Sequence, residues 1–323
     1  MITLLSNRKF KVLKNKLYKQ MKISIAIACI LVTSLTLTAQ VKTDRKLKVK
    51  LEELVKGFQG DVGIYVQNLK TGRIAEINAD TIFPTASMIK VPIMCGVFDK
   101  IEKGKLKYDE NLIYKDSLLY AGEDILGSFK DGEKIKLGKV QMLSITTSDN
   151  TASLWLQKFV GGENINKWLD ANGFKSTRMN SRTAGRQGDW RKYGWGQTTP
   201  REMATLVKMI HEGKAVSPAA SERMYRNMIR IYWDAEALSQ IPPYVQAASK
   251  QGAVDRSRSE VVLVNAPHGD YVFCITTKNQ KDTSWTPDNE GYRLIRGLSR
   301  LLWNYYEPKS EWKPAPGVEK YVE

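Results

Sequence analysis

Two β-hairpin patterns stand at opposite ends of this chain, and any fold it takes must accommodate both. VGIYVQNL (62–69) and RIAEINA (73–79) flank Lys70, Thr71 and Gly72, while VVLVNAPHGDYVFCITTK (261–278) is turned at Pro267 to Asp270. Both are rich in β-branched and aromatic residues and are broken by turn formers. A helical apolar period accompanies each hairpin. KLKVKLEELVKGF (46–58) precedes the first, and YRLIRGLSRLLWNYY (292–306) follows the second, with Leu294, Ile295, Leu298, Leu301 and Leu302 on one face. The stretch from about 105 to 232 reads as mostly helical with polar loops. The pattern predicts strands and helices from both ends enclosing a helical insertion. From Glu307 onward the Lys- and Pro-rich tail is expected to be loosely held, and no internal repeat is present.

With 323 residues and 42% hydrophobic content the chain can bury a substantial core. The formal net charge is +16, yet seven cations (Arg8, Lys9, Lys11, Lys14, Lys16, Lys19 and Lys22) fall in residues 1–39, where there is no acid. What remains is moderate basicity without the basic and aromatic interleaving of a nucleic-acid-binding motif, so nucleic acid is not an expected partner. MKISIAIACILVTSLTLTAQ (21–40) has a lysine, an apolar run, and an ending of Thr38, Ala39 and Gln40. It reads as a secretory signal over 21–39, cleaved after Ala39. Residues 1–20 are then a long basic leader or the product of a start placed too early, Met21 being the alternative. The run is too short and too polar for a membrane span, so a periplasmic or extracellular location is expected. Cys29 as a lipid-attachment site is disfavoured by Ala26 at the usual leucine position. Cys95 and Cys274 each sit among apolar residues, as small buried hydrophobes rather than halves of a bridge. With only His211 and His268 far apart, no metal-ligand set forms, and no cofactor is expected.

One apolar stretch carries a charge without an obvious reason. In FPTASMIKVPIMCGVF (83–98), Lys90 follows Ser87 by three residues. If Ser87 opens a helix, the two side chains share a face one turn apart, near free backbone N–H groups. A lysine among Met88, Ile89, Val91 and Ile93 is desolvated, which favours its neutral form and lets it accept the serine proton. Pro92 then falls in the first turn, where a missing donor costs least. Taken alone, the pair is better read as an N-capping serine beside a snorkelling lysine.

Two further stretches change that balance. TTSDNTASLWL (146–156) places Ser148, Asp149 and Asn150 before another apolar helix, and SKQGAVDRSR (249–258) leads into the second hairpin. S-x-x-K, S-D-N and a K-T-G-like triplet in this order resemble the penicillin-recognising serine enzymes, specifically the class A β-lactamase family. GGENINKWLDANGF (161–174) and TTPREMATLV (198–207) resemble the stretches flanking that family's Ω-loop, so the likeness covers roughly 46–305. It implies a β-lactamase/transpeptidase-like α/β (α+β) domain over 45–305, with an antiparallel sheet flanked by helices and an inserted all-helical subdomain. It also implies a monomer acting on a small-molecule substrate. Ser87 would be the acylated nucleophile and Lys90 its activating amine. Ser148 would pass a proton to the leaving nitrogen with help from Lys250, and Asn150 would hold the substrate's amide side chain. The backbone N–H groups of Ser87 and Ala253 would form the oxyanion hole. Arg258 matches an arginine that in many members helps bind the substrate carboxylate, Tyr120 lies where an aromatic often rims the cleft, and Asp149 supports its loop.

Two positions depart from the family pattern. Gln251 replaces a small hydroxyl residue in the triplet, which changes the character of one substrate-carboxylate contact. The family's deacylating glutamate lies five residues after the arginine of a Thr-Arg pair and seventeen before a Thr-Pro proline. Counting from Arg178 and back from Pro200 both reach Thr183. A threonine cannot take a proton from water at neutral pH as a carboxylate can, and loss of a positioned base costs on the order of 10²- to 10⁴-fold. Asp189 is the one carboxylate between Arg178 and Pro200, with Glu163 and Glu202 just outside, and Trp190, Tyr193 and Trp195 either pack the loop or line a pocket.

The sequence thus predicts a secreted serine hydrolase acylated at Ser87 by a β-lactam or related amide. The alternatives are a slowly deacylating penicillin-binding or D-alanyl peptidase-like protein acting on peptidoglycan-like amides, and a non-catalytic cell-wall-binding protein. The intact Ser87 and Lys90 pair argues against the last of these.

Overall fold

The chain is seen here in a computed structural model that describes residue 18 and residues 42–122 and 124–318. The basic leader, the signal-like segment with its cleavage point, and Cys29 lie outside the described residues. The first hairpin is β1 (Asp61–Asn68) and β2 (Ile74–Ile77), led in by helix α1 (Arg45–Leu54). After β3 (Phe83–Pro84) and helix α2 (Lys90–Glu102) come the short strands β4 (Asn111–Ile113) and β5 (Lys134–Lys136). Helices α3 (Leu137–Thr146), α4 (Asn150–Val160) and α5 (Gly162–Ala171) follow, then β6 (Arg178–Met179), α6 (Gln187–Tyr193), β7 (Gly196–Thr198), α7 (Pro200–His211) and α8 (Pro218–Met228). The chain returns through β8 (Ala247–Val254), β9 (Ser257–Val264) and β10 (Tyr271–Lys278) and closes with α9 (Glu290–Tyr306).

The two hairpins meet. β1 pairs antiparallel with β10 from Asp61 opposite Lys278 to Asn68 opposite Tyr271, giving a five-stranded sheet in the order β2-β1-β10-β9-β8. A pleated strand sends alternate side chains to opposite faces. Ile64, Val66, Val262, Phe273 and Ile275 therefore pack on Leu47 and Leu51 of α1 and on Leu294, Ile295, Leu298 and Leu302 of α9. Tyr65, Val261, Leu263, Val272 and Cys274 turn the other way, against the helical layer. α2 is apolar on every side because it runs through the middle of that layer, with Val91 to Phe98 all buried. Burying each such large side chain contributes about 1.5–3 kcal/mol.

The helix starts expected from sequence have their caps. Asp149 accepts from Ala152 N at 2.6 Å, Thr199 from Glu202 N at 3.2 Å, and Asn289 from Gly291 N at 2.9 Å. The insertion is not purely helical. It holds the β4–β5 ribbon, and β6 and β7 extend a second small sheet begun by β3. Strands of two or three residues are too short to leave a period of two in the sequence. Beyond α9 the chain stays attached to the domain. Glu307, 4% exposed, accepts from His268 N at 2.9 Å and meets that imidazole, and Trp303 Nε1 donates to Ser310. Cys95 and Cys274 are buried free thiols. Among the described residues no helix is long and apolar enough to cross a membrane.

Candidate active site

Ser87 lies in a 3-10 turn, Ala86–Ile89, that runs directly into α2, so Lys90 is the first residue of the helix one turn on. Pro92 falls in that first helical turn, as the fixed φ of proline favours. Ala86 has φ 43 and Ser148 φ 57, a left-handed conformation that L-residues adopt at a cost of about 1–3 kcal/mol. Each strained residue sits at or beside a hydroxyl of the cluster. The Ser148 loop is held in that conformation by carboxylates. Asp149 accepts from Leu126 N at 2.9 Å besides capping α4, and Asp124 accepts from Asn150 N at 3.0 Å and Thr151 N at 2.8 Å.

The two lysines converge on Ser148. Lys90 is 0% exposed; its Nζ donates to Ser148 Oγ at 3.0 Å, to Asn150 Oδ1 at 2.7 Å, and to the Ser148 carbonyl. Lys250, equally buried, reaches the same Ser148 Oγ at 3.0 Å from β8 and also donates to Gln251 O at 3.0 Å and Gln251 Oε1 at 2.7 Å. Burial pulls Lys90 down to about 7, against the opposing pull of Asp124 and Asp149. Burial first, and then the charge of Lys90, hold Lys250 well below the ordinary lysine range, while Glu260 pulls the other way. Two like charges on one buried hydroxyl disfavour double protonation. The sequence suggests a direct contact between Ser87 and Lys90; instead the amine is turned to Ser148 and Asn150, and the Ser87 hydroxyl makes no side-chain hydrogen bond among the described residues.

β8 is the edge strand of the sheet and lies against the Ser87 turn. Gly252 makes that approach possible: a Cβ there would stand 2.7 Å from Thr85 O and 2.8 Å from Ser87 N. The next residue, Ala253, shares with Ser87 and Asn150 the wall of a cleft of about 920 Å³. Tyr120 rims it, 42% exposed, and meets Trp195 edge to face at 5.4 Å; Trp190 and Tyr193 line the same side. A cluster of buried amines, a free hydroxyl and a strand edge beside one cleft is equipped for nucleophilic acyl transfer.

Thr183 does not line the cleft. It is buried, its Oγ1 donates to Ser181 O at 3.0 Å, and it fits only because Gly162 faces it; a Cβ on Gly162 would lie 1.9 Å from that oxygen. The nearby carboxylates hold the loop. Glu163 accepts from Ala184 N at 2.8 Å, and Glu202 from Lys175 N at 2.8 Å, Ser176 N at 3.0 Å and Thr177 N at 2.6 Å. Asp189 pairs with Arg186 at 2.8 Å. Among the described residues no group of three or more His, Cys, Asp or Glu is placed to hold a metal ion.

Arg258 requires a correction. It is 0% exposed and lies on the α9 face of the sheet, where its guanidinium donates to Val254 O, Ser257 O and Ser284 O and sits between the rings of Trp285 and Tyr292. Its neighbours in β9 turn the other way: Ser257 lines the cleft, and the buried Ser259 Oγ donates to Gly252 O at 3.0 Å. One residue of register decides the face. Two arginines do line the cleft, Arg191 of α6 and Arg256, the latter in the two-residue Asp255-Arg256 turn between β8 and β9. The signal for Arg256 in the sequence is that turn, since turn residues project from the end of a sheet rather than from either face.

Comparison with known proteins assigns a family. Residues 46–306 match the β-lactamase enzyme family. β-Lactamase VEB-1 of Pseudomonas aeruginosa is 25% identical over 275 residues, 80% of this chain and 90% of that protein. A β-lactamase of Bacteroides uniformis is 23% identical, again with 80% and 90% covered. Among solved structures, PBP-A matches with a TM-score of 0.73 and 26% identity over 83% of this chain and 98% of that one. A PBP-A variant carrying glutamate in place of leucine, solved as an acyl-enzyme complex with penicillin G, matches equally, with a TM-score of 0.73. An ancestral class A β-lactamase shares the fold with a TM-score of 0.70 at 21% identity, over 80% of this chain and 100% of that one. With its fold, its buried lysine pair and its sequence match in agreement, the chain belongs to the β-lactamase enzyme family, as a serine β-lactamase-like hydrolase with the class A fold.

Proposed function

We propose that Ser87 is acylated by β-lactams or related amides and that the acyl-enzyme is released slowly, so that the protein binds penicillins covalently more than it destroys them. The observation that carries this reading is the contrast between Lys90, buried and lowered to about 7, and Thr183, which takes the sequence position of the family's base but lies outside the cleft wall with its hydroxyl turned to Ser181. In the reaction, Ser87 Oγ bonds to the substrate carbonyl carbon while neutral Lys90 receives its proton, and the oxyanion meets the backbone N–H groups of Ser87 and Ala253. Lys90 and Ser148 are 3.0 Å apart, so the proton passes on through Ser148, with Lys250 beside it, to the leaving nitrogen as the C–N bond breaks. Asn150 holds the substrate's amide side chain. Release requires a water to lose a proton to a base, and Glu163, Asp189 and Glu202 are occupied elsewhere. The likeness to PBP-A, whose glutamate variant was solved as a penicillin G acyl-enzyme, supports the acylation half of this reading.

The curated relatives, which are β-lactamases, favour a second reading, full hydrolysis with turnover. Intact-mass spectrometry seconds and an hour after adding a penicillin, with product followed in parallel, separates the two. A persisting adduct on Ser87 with little product is expected. Free protein with accumulating product would replace slow release by turnover. The segment at 21–39 would export the chain to the periplasm or beyond, which N-terminal sequencing of the chain from fractionated cells tests; a Met1 or Met21 start retained in a cytoplasmic fraction would refute it.

A further inference from the structure

The two ends of the cleft differ in charge in a way the motifs do not reveal. Ser148 and Lys250 mark the leaving-group end. Arg258, the cation that the motif reading assigns to a carboxylate there, is buried on the far face of the sheet between Trp285, 4.4 Å away, and Tyr292, 4.7 Å away, and Lys250 spends donors on Ser148 and on both oxygens of Gln251. Gln251 matters because its amide oxygen, at 2.7 Å, covers the Lys250 amine that a small hydroxyl residue would leave open.

The acyl end is the reverse. From Ser87, Asn150 and Ala253 the cleft runs past the aromatic side to Arg191, Lys192, Arg256 and Lys278, against the single carboxylate Asp255. None of those four cations forms an ion pair among the described residues. Arg256 is held in place by the carbonyls of Gln280 at 3.1 Å and Asn279 at 3.3 Å, and Lys278 by Ile82 O at 2.9 Å, contacts that position charge without neutralising it. A concave wall of one sign raises the local concentration of opposite charge.

We propose that this cleft selects acyl donors whose negative charge lies on the acyl side chain, attached to an aryl or alkyl body, rather than on the leaving group. The inference rests on Ser87 being the acylated residue. Arg256 is the specificity-determining group, and the aromatic side takes the apolar body. Rejection works with attraction here, since an acyl group bearing a cation meets four like charges.

The test is the second-order rate constant of Ser87 acylation, read by intact mass on the full chain with four probes: benzylpenicillin, its α-carboxy analogue, its α-amino analogue of matching size, and its methyl ester. The α-carboxy compound is expected to react about 3- to 10-fold faster than the α-amino compound, falling toward parity in about 0.3 M salt. The ester is expected to lose less than about threefold against benzylpenicillin, since the leaving-group carboxylate has little to pair with. Arg256→Glu should invert the α-carboxy to α-amino ratio and Arg256→Lys should keep it. A Ser87 adduct formed with a flat ratio, or an ester more than about tenfold slower, overturns the proposal while leaving acylation standing. No adduct with any probe refutes the acylation reading and the proposal with it.

Discussion

The Ser148 cluster and the loop from Arg178 to Thr199 treat charge in opposite ways. Around Ser148, two lysines are buried at a large desolvation cost and aimed at one hydroxyl. In and around the loop, Glu163, Asp189 and Glu202 are spent on backbone N–H groups and an arginine, and the position facing Gly162 is a threonine. One region holds perturbed groups ready to move a proton, and the other uses ordinary groups as ties. On the function proposed above, the difference teaches that the two half-reactions of acyl transfer would be supported by separate parts of the fold, so that one could be kept while the other is altered.

That separation can be attacked from either side. Lys90→Ala should lower the rate of Ser87 acylation about 10³-fold, because the proton acceptor is gone; a parent-like rate in stopped-flow measurements would end the account of the cluster. Gly252→Ala should cost about 10²-fold by forcing β8 away from Ser87 N and spoiling the oxyanion site, and an unchanged rate would mean that the strand yields. Thr183→Glu is expected to speed release about 10- to 100-fold, its main effect falling on deacylation of a preformed adduct; if release does not change, the loop geometry as well as its residue has been altered. Acylation should rise about tenfold per pH unit below 7 and level off above, because Lys90 is an ammonium below about 7 and a free amine above it. A flat profile from pH 5 to 8 would contradict this assignment. The smallest effect is Glu202→Gln, which weakens ties to Lys175, Ser176 and Thr177 and should lower stability by about 1–3 kcal/mol in thermal unfolding, with a lesser effect on acylation.

Much of this was legible from the residues. Lys90, Ser148, Asn150 and Lys250 belong to short patterns, at a helix start, a capped helix start and a sheet edge, and their side chains meet, while the Ser87 hydroxyl bonds to none of them. Counting from Arg178 and back from Pro200 reaches Thr183, but a count does not give its surroundings, buried against Gly162 and outside the cleft wall. Arg258 was misassigned because strand alternation turns on one residue of register, which a motif separated by a turn does not fix. Arg256 escaped for the same kind of reason, and Gln251, singled out from the triplet, could not be assigned its contact with Lys250: what they do depends on which neighbours the folded sheet edge presents to them. The tail beyond Glu307 was read from composition, which carries no information about the buried contact that Glu307 makes with His268.

The edge-to-face pair of Tyr120 and Trp195 across the rim has an optical consequence. Indole emission responds to the polarity and packing around the ring, and Trp190 and Trp195 both lie in the wall that an acyl group would touch. The protein should therefore report its own occupancy as a change in tryptophan fluorescence on adduct formation. The Trp195→Phe variant should lose most of that signal, so that formation and decay of the adduct could be timed without a coloured substrate.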